Sequence, residues 1–243
     1  MVEPKKEKKV KSEDFNINPE EMAQAGLHIG HRISRVNPKI KPYLFGVRNN
    51  VHIIDLTKTA EELKKALKFI RELILENKIL LIIGTKIQVK DLVKDFSAEC
   101  ALPYVSERWL GGTFTNFDIL GRRIEYFKDL EKRKATGELE KYTKKEKAKF
   151  DHELRDLEIK FGGIKNLEKL PDAVFVLDMK KDFLAVKEAR EKGVKVIGIA
   201  HTNVDPNLAD YPIPANDDAI SSVKYILDKV KEVILKTKSK TKS

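Results

Sequence analysis

The run ILLIIGT, residues 79–85, contains five consecutive aliphatic residues before its glycine. A run without a polar side chain on either face predicts a strand buried on both sides, as in the parallel sheets of α/β proteins. Before it, residues 59–78 repeat aliphatic side chains at the spacing of an amphipathic helix, and residues 89–100 predict another helix after it. The run therefore predicts one unit of an alternating helix–strand fold.

The same alternation continues in both directions. Short apolar runs predict further strands at 51–56, 102–107, 172–178 and 194–201, and helices are expected from residue 19, near 182–192 and at about 217–235. Strands that alternate with helices require right-handed crossovers, which favours an α/β fold with a doubly wound parallel sheet. Residues 201–219, rich in Asn, Asp and Pro, are interpreted as a long ordered loop.

Residues 116–165 interrupt this alternation. Apolar side chains recur at spacings of three and four on both sides of a polar turn, which predicts an antiparallel, coiled-coil-like helical hairpin inserted into the α/β body. The body would then comprise residues 15–115 and 166–235. We interpret the exposed hairpin as an arm that docks against a partner, although a merely solvated pair of helices would show the same pattern.

The stretch ERWLGGTFTNF, residues 107–117, leads into this hairpin. Gly111 and Gly112 allow a tight turn, Asn116 is a candidate N-cap, and Trp109 is expected to anchor the base of the arm by packing. Arg108 is the better candidate for contact with RNA or a neighbouring protein. We therefore predict a rigid structural loop here rather than a catalytic site.

The net charge of +10 is concentrated at the two ends of the chain. Residues 1–11 carry +3 and residues 236–243 carry +4, and we expect disordered Lys-rich tails at 1–14 and 236–243 that contact a polyanion without sequence specificity. No apolar run is long enough to span a membrane, and no secretory signal is evident. A single cysteine, Cys100, fits a reduced, cytoplasmic setting.

A second charge feature lies inside the predicted body. The 33 residues from Met22 to Ile54 contain no acidic side chain, although 35% of the chain is charged. Basic side chains neutralise phosphates, and planar aromatic groups stack on unpaired bases, so this irregular segment is a candidate RNA-binding surface. The candidate contacts are His28, His31, Arg32, Arg35, Lys39, Lys41, Tyr43, Arg48 and Asn49, together with Arg108.

Signatures of enzymes and cofactors are missing from the sequence. It contains no G-x-G-x-x-G, no P-loop, no G-x-S-x-G and no H-E-x-x-H. His28 and His31 could seat a metal with His52, but Gly30 breaks helical geometry between the first two, and histidines that bind backbone or phosphate are favoured. We predict no catalytic residue, no metal ligand, no cofactor and no small-molecule substrate.

Four segments, in order, resemble the bacterial type of the small-subunit ribosomal protein S2 family. They are GLHIGHRISRVNPKIKPYLFGVRNNVHIIDL (26–56), ERWLGGTFTNF (107–117), FGGIKNLEKLPDAVFVLD (161–178) and ANDDAISSV (215–223). The resemblance extends from about residue 19 to 235. It implies a flavodoxin-like, three-layer α/β/α body with a coiled-coil hairpin insertion, and a non-enzymatic component of the cytoplasmic ribosome.

The resemblance also implies partners. These are 16S rRNA near the head–body junction, other small-subunit ribosomal proteins and, in many bacteria, ribosomal protein S1. One departure is His201, which stands where the family leads us to expect an aspartate; a cation-binding role near His201 and Asp205 is therefore in doubt. Two rival interpretations remain: an α/β enzyme for a sugar phosphate or nucleotide with its site near His201, Asn203 and Asp205, and a free-standing RNA chaperone.

Overall fold

The computed structural model describes residues 15–241, so the predicted tail at 1–14 lies outside the described residues. In this part of the chain the helices are α1 (Pro19–Gln24), α2 (Leu56–Leu75), α3 (Lys90–Cys100), α4 (Phe117–Ala135), α5 (Lys144–Phe161), α6 (Phe183–Glu191) and α7 (Ile220–Thr241). The strands are β1 (Ile29–Arg32), β2 (Leu44–Arg48), β3 (Val51–Ile54), β4 (Leu80–Ile83), β5 (Tyr104–Val105), β6 (Ala173–Val176), β7 (Lys195–Ala200) and β8 (Tyr211–Pro214).

Five strands form the main sheet in the order β5-β4-β6-β7-β8, and every neighbouring pair is parallel. Numbered along the chain, this order is 2-1-3-4-5, a common order of doubly wound sheets. The aliphatic run at 79–85 supplies β4, whose four residues are all buried. The predicted α/β fold with a parallel sheet is therefore confirmed.

Alternate residues of the strands face two different hydrophobic clusters. Leu80 and Ile82 of β4 belong to the cluster that contains α2, α3 and α7 side chains. Leu81 and Ile83 belong to the other, which contains side chains of α4, α5 and α6. Helices thus cover both faces of the sheet, which is why a strand of this sheet has no polar face. No helix among residues 15–241 combines the length and apolar character needed to cross a membrane.

The N-terminal half contains a second sheet that the sequence patterns did not predict. Strands β1, β2 and β3 form a three-stranded antiparallel sheet in the order β1-β3-β2. Residues 51–56 were expected in a buried strand, and they supply β3, but in this small sheet rather than in the main one. The segment 28–50, interpreted as irregular, therefore contains two strands as well as short 3₁₀ turns at Ile33–Arg35 and Pro38–Tyr43.

Two further elements differ from the sequence prediction. The predicted loop at 201–219 contains β8, an edge strand of sequence YPIP, whose prolines are tolerated because an edge strand has unpaired N–H positions. Helix α7 continues to Thr241, although its end was expected near 235. Buried Thr237 lies in this last part, and Lys238 Nζ donates to the carbonyl of Cys100 at 2.6 Å, which fixes it against α3.

The segment predicted as a hairpin consists of α4 and α5 joined by a short 3₁₀ turn at Glu138–Lys141. A capping box at Thr143 and Glu146 starts α5, as its sequence predicts. Tyr126 Oη donates to Glu153 at 3.0 Å, and Lys134 pairs with Asp151 at 2.6 Å, so the two helices contact each other. Their coiled-coil packing and their projection as an arm remain predictions.

Candidate nucleic-acid interface

The acid-free segment forms a small sheet with a tight hairpin at its outer end. Asn49 and Asn50 connect β2 to β3, and both have positive φ angles, 50° and 62°. Two residues in this conformation fit a type I′ turn, whose twist matches that of the flanking strands, and Asn tolerates the left-handed region better than most residues. Asn49, a predicted RNA contact, therefore also has a structural reason to be at this position.

Close contacts hold the small sheet against the carboxyl edge of the main sheet. The backbone N–H of His31 donates to Thr202 Oγ1 at 2.9 Å, and that of Asn37 donates to the Thr202 carbonyl at 2.9 Å. A Cβ atom on Gly30 would lie 2.6 Å from the His52 carbonyl oxygen and 2.7 Å from Thr202 Cγ2, so only glycine fits there. The small sheet is thus positioned by residues that follow β7.

The predicted contacts of this segment divide into exposed and half-buried groups. Half-buried are His28, His31 and Tyr43, and the exposed ones are Arg32, Arg35, Lys39, Lys41, Arg48 and Asn49. Phe45, which is 80% exposed, lies on the same sheet. Lys39 already pairs with Asp205 at 2.6 Å, and this ammonium group lowers the pKa of the Asp205 carboxyl. Arg108 is also exposed, but it follows β5 at another point of the carboxyl edge.

Three side chains that could hold a metal ion meet beneath the small sheet. His31 Nδ1 lies 2.9 Å from His201 Nδ1, and Asp218 Oδ2 lies 3.6 Å from His31 Nε2 and 3.8 Å from His201 Nε2. Among the described residues these are the candidate metal ligands, and not the set of His28, His31 and His52 that the sequence raised. The donor set of two imidazoles and one carboxylate is one that zinc accepts.

Both histidines of this cluster favour the neutral form. Burial lowers the pKa of His201 to about 3, and the neighbouring His31 contributes to the shift. Burial also lowers the pKa of His31, although the Asp218 carboxylate opposes this effect. A neutral imidazole is the form that binds a metal or accepts a hydrogen bond. His201 therefore offers a ligand or acceptor atom at this position.

Asp218 also belongs to an ion cluster around Lys86, which follows β4. Lys86 Nζ lies 2.7 Å from Asp218, 3.0 Å from Asp217 and 3.0 Å from Asp178. Burial of Lys86 opposes its charged form, but these carboxylates outweigh that effect and raise its pKa. Burial, together with the Asp178 charge, raises the pKa of Asp217 to about 7. The cluster links the ends of β4, β6 and β8.

The loop at 107–117 is fixed by a buried carboxylate that the sequence did not single out. Glu188 of α6 accepts hydrogen bonds from the backbone N–H groups of Gly112 at 2.8 Å and Phe114 at 2.9 Å. Trp109 is buried and also donates to Glu188, at 3.4 Å. It also packs edge-on against Phe114, and its role as the anchor of an arm stays a prediction.

Gly111, Gly112 and the predicted N-cap Asn116 contribute differently to the turn of this loop. Gly112 has a φ of 91°, whereas Gly111 has no positive φ and lies beside Leu184. Asn116 is at the N-cap position of α4, as predicted, but its side chain makes no capping hydrogen bond. The tight turn therefore depends on Gly112 and on Glu188 more than on the cap.

Together these observations define a doubly wound α/β protein whose carboxyl edge is covered by a small cationic sheet, a surface suited to contact with nucleic acid. The family model described as ribosomal protein S2 matches residues 22–237. A protein named small ribosomal subunit protein uS2, from Roseiflexus sp. (strain RS-1), is 42% identical over 222 residues, which cover 91% of this chain and 85% of that protein. The chain belongs to the ribosomal protein S2 family, so it is a small-subunit ribosomal protein from a family that is not one of enzymes.

Proposed function

We propose that this chain is a structural constituent of the small ribosomal subunit that binds 16S rRNA through the exposed face of the small sheet. The observation that carries the proposal is the distribution of charge on that sheet and on the 3₁₀ turns between β1 and β2. Arg32, Arg35, Lys41 and Arg48 are exposed on a segment of 33 residues without an acid. Strand pairing and the contacts to Thr202 hold this segment in one conformation, which lowers the entropic cost of binding.

The mode of binding follows from the chemistry of these side chains. Guanidinium and ammonium groups contact phosphates, so most of the affinity is expected to depend on salt and little of it on base sequence. The ring of Phe45, which is 80% exposed, adds a stacking contact for an unpaired base. Folded rRNA, which presents phosphates in a fixed arrangement, is the polyanion that this surface suits.

The test is the affinity of the labelled chain for small subunits that lack this protein. Replacing both Arg32 and Arg48 by alanine should weaken binding by about 2–6 kcal/mol if both side chains make charge-assisted phosphate contacts. A matched control replaces Lys64 and Lys68, two exposed cations of α2, and should retain wild-type affinity. Wild-type affinity in the arginine variant would remove the small sheet from the mechanism.

We further propose protein partners for two other surfaces. Val47, which is 50% exposed, precedes Arg48 in β2, so its side chain points to the opposite face of the small sheet and suits contact with a protein. Ribosomal protein S1 is the partner that the family resemblance implies, and the helices α4 and α5 would contact another small-subunit protein near the head–body junction. Subunits reconstituted with and without this chain should differ in bound S1, and equal S1 content would contradict this docking role.

A further inference from the structure

An open cavity lies where the small sheet meets the loops of the main sheet. Residues 34–38 form one wall, and Lys180 and Asn203, which follow β6 and β7, form the other. Its volume is about 520 Å³, within the range of roughly 300–1,000 Å³ that is typical of small-ligand sites. The cavity thus combines the acid-free segment with residues that are about 150 positions away in the sequence.

The charges at this cavity are all of one sign. Arg35 and Lys180 are both exposed, and within residues 15–241 neither side chain forms an ion pair or a hydrogen bond. Arg35 and Lys180 lie on opposite walls, so both cations face the space between them. The nearest carboxylate after β7, Asp205, is already neutralised by Lys39.

The amide groups of the lining are mixed: Asn37 offers donors, whereas the buried Oδ1 of Asn203 is an acceptor without a hydrogen-bond partner within residues 15–241. The side chain of Asn37 uses its carbonyl oxygen to accept from the Lys39 N–H, so its amide N–H groups are available as donors. Val36 and Pro38 add an apolar wall next to these donors. A tetrahedral anion attached to a less polar group, such as a phosphate on a ribose, matches this combination of two cations, an amide donor and apolar surface.

We propose that this cavity binds one backbone phosphate of RNA, with Arg35 and Lys180 on opposite sides of the same phosphodiester. The inference rests on the proposed function and adds a defined subsite to it, since Lys180 lies outside the acid-free segment. A phosphate held from both walls would also offset the repulsion between the two cations.

The first experiment measures binding of the full-length chain to small subunits that lack it, over a range of salt concentrations. Lys180→Gln and Arg35→Gln should each weaken binding about tenfold and should each lower the slope of log affinity against log salt by about one. Lys192→Gln is the matched control, because Lys192 is an exposed cation that follows the other end of α6. Its affinity and slope should equal those of the wild type.

The double variant tests whether the two cations share one phosphate. If they do, the fold-loss of affinity in the double variant Arg35→Gln, Lys180→Gln should differ by a factor of about two or more from the product of the fold-losses in the two single variants. Independent losses would mean two separate phosphates and would overturn the shared site. If the Lys180 variant binds like the wild type while the Arg32 and Arg48 variant does not, the cavity is wrong and the proposed function stands. If the wild type itself does not bind subunits, the proposed function is wrong.

Two further measurements test whether the anion in the cavity is an RNA phosphate or a free small anion. A photoreactive amino acid in place of Ser34, on the cavity wall, should crosslink to 16S rRNA in the subunit; crosslinks to protein alone would overturn the proposal. Titration with inorganic phosphate and with AMP, followed by NMR of the cavity amides, tests a free ligand. Saturable binding of either one that Lys180→Gln abolishes, together with unchanged subunit affinity, would assign the cavity to a small anion instead.

Discussion

Glu188 should be among the most sensitive single positions of the fold, because one buried carboxylate satisfies several donors of the loop at 107–117. Its Oε1 accepts from the N–H of Gly112 at 2.8 Å and from Trp109 Nε1 at 3.4 Å. Its Oε2 accepts from the N–H of Phe114 at 2.9 Å and of Thr115 at 3.4 Å. The Glu188 side chain itself is buried.

The change Glu188→Gln keeps the shape but turns one of the two oxygens into an NH₂ group. Whichever oxygen is replaced, two N–H groups of the loop then face another donor. A buried donor without an acceptor costs about 1–3 kcal/mol, so two of them should lower the free energy of unfolding by about 2–6 kcal/mol. That is a large fraction of the roughly 5–15 kcal/mol that stabilises a typical folded protein.

Urea unfolding measures this loss, with the fluorescence of Trp109 reporting on the loop and far-UV circular dichroism on the whole fold. The control is Glu191→Gln, the same chemical change at an exposed position of α6, which should alter stability by no more than about 0.5 kcal/mol. The slope of the free energy of unfolding against urea concentration should be equal in the wild type and the two variants. A Glu188→Gln variant as stable as the control would refute the assignment of this carboxylate as the anchor of the loop.

Three other positions give sharp expectations. Gly30→Ala should lower the free energy of unfolding by about 1–3 kcal/mol, because the new Cβ would lie 2.6 Å from the His52 carbonyl oxygen. An unchanged midpoint in urea would show that the small sheet shifts freely. Lys86→Met should lower the free energy of unfolding by about 3–5 kcal/mol, because three carboxylates would lose their shared counter-charge. A variant as stable as the wild type would contradict this role of Lys86. Cys100 should resist iodoacetamide in the native protein at neutral pH, because it is buried and burial raises its pKa to about 11. It should react readily in urea, and equal rates of alkylation in native and unfolded protein would show that it is accessible.

The elements that sequence patterns predicted well are those whose signal is local. The run that forms β4 and the amphipathic pattern of α2 each contain enough buried positions to identify the element within one window. Strand β8 was missed because its four residues include two prolines, which ordinarily argue against a strand. Only its place at the sheet edge makes them acceptable, and that place is a property of the tertiary structure.

The partner of a strand is harder to predict than the strand itself. Residues 51–54 have the apolar character of a buried parallel strand, yet they pair antiparallel with β2. The pair Asn49-Asn50 between them was a usable signal, since two such residues between apolar runs favour a hairpin. The exposed cations of the candidate interface were predictable because charge is local. The meeting of His31 with His201 and Asp218 was not, because it joins residues 170 or more positions apart.

Side chains of the protein lie at the place where doubly wound sheets commonly bind small ligands. In a doubly wound sheet, ligands bind beyond the carboxyl ends of the strands where the strand order reverses, here between β4 and β6. Asp182 accepts from Thr85 Oγ1 at 2.7 Å, and Lys181 Nζ donates to the Thr85 carbonyl at 2.9 Å, so side chains of the protein occupy that crevice. The open cavity lies one strand further along, between Lys180 and Asn203, where residues 34–38, which connect β1 to β2, form its other wall. An edge that commonly encloses a nucleotide has thus become the support for an exposed cationic sheet, which suits a large polyanion better than a small ligand.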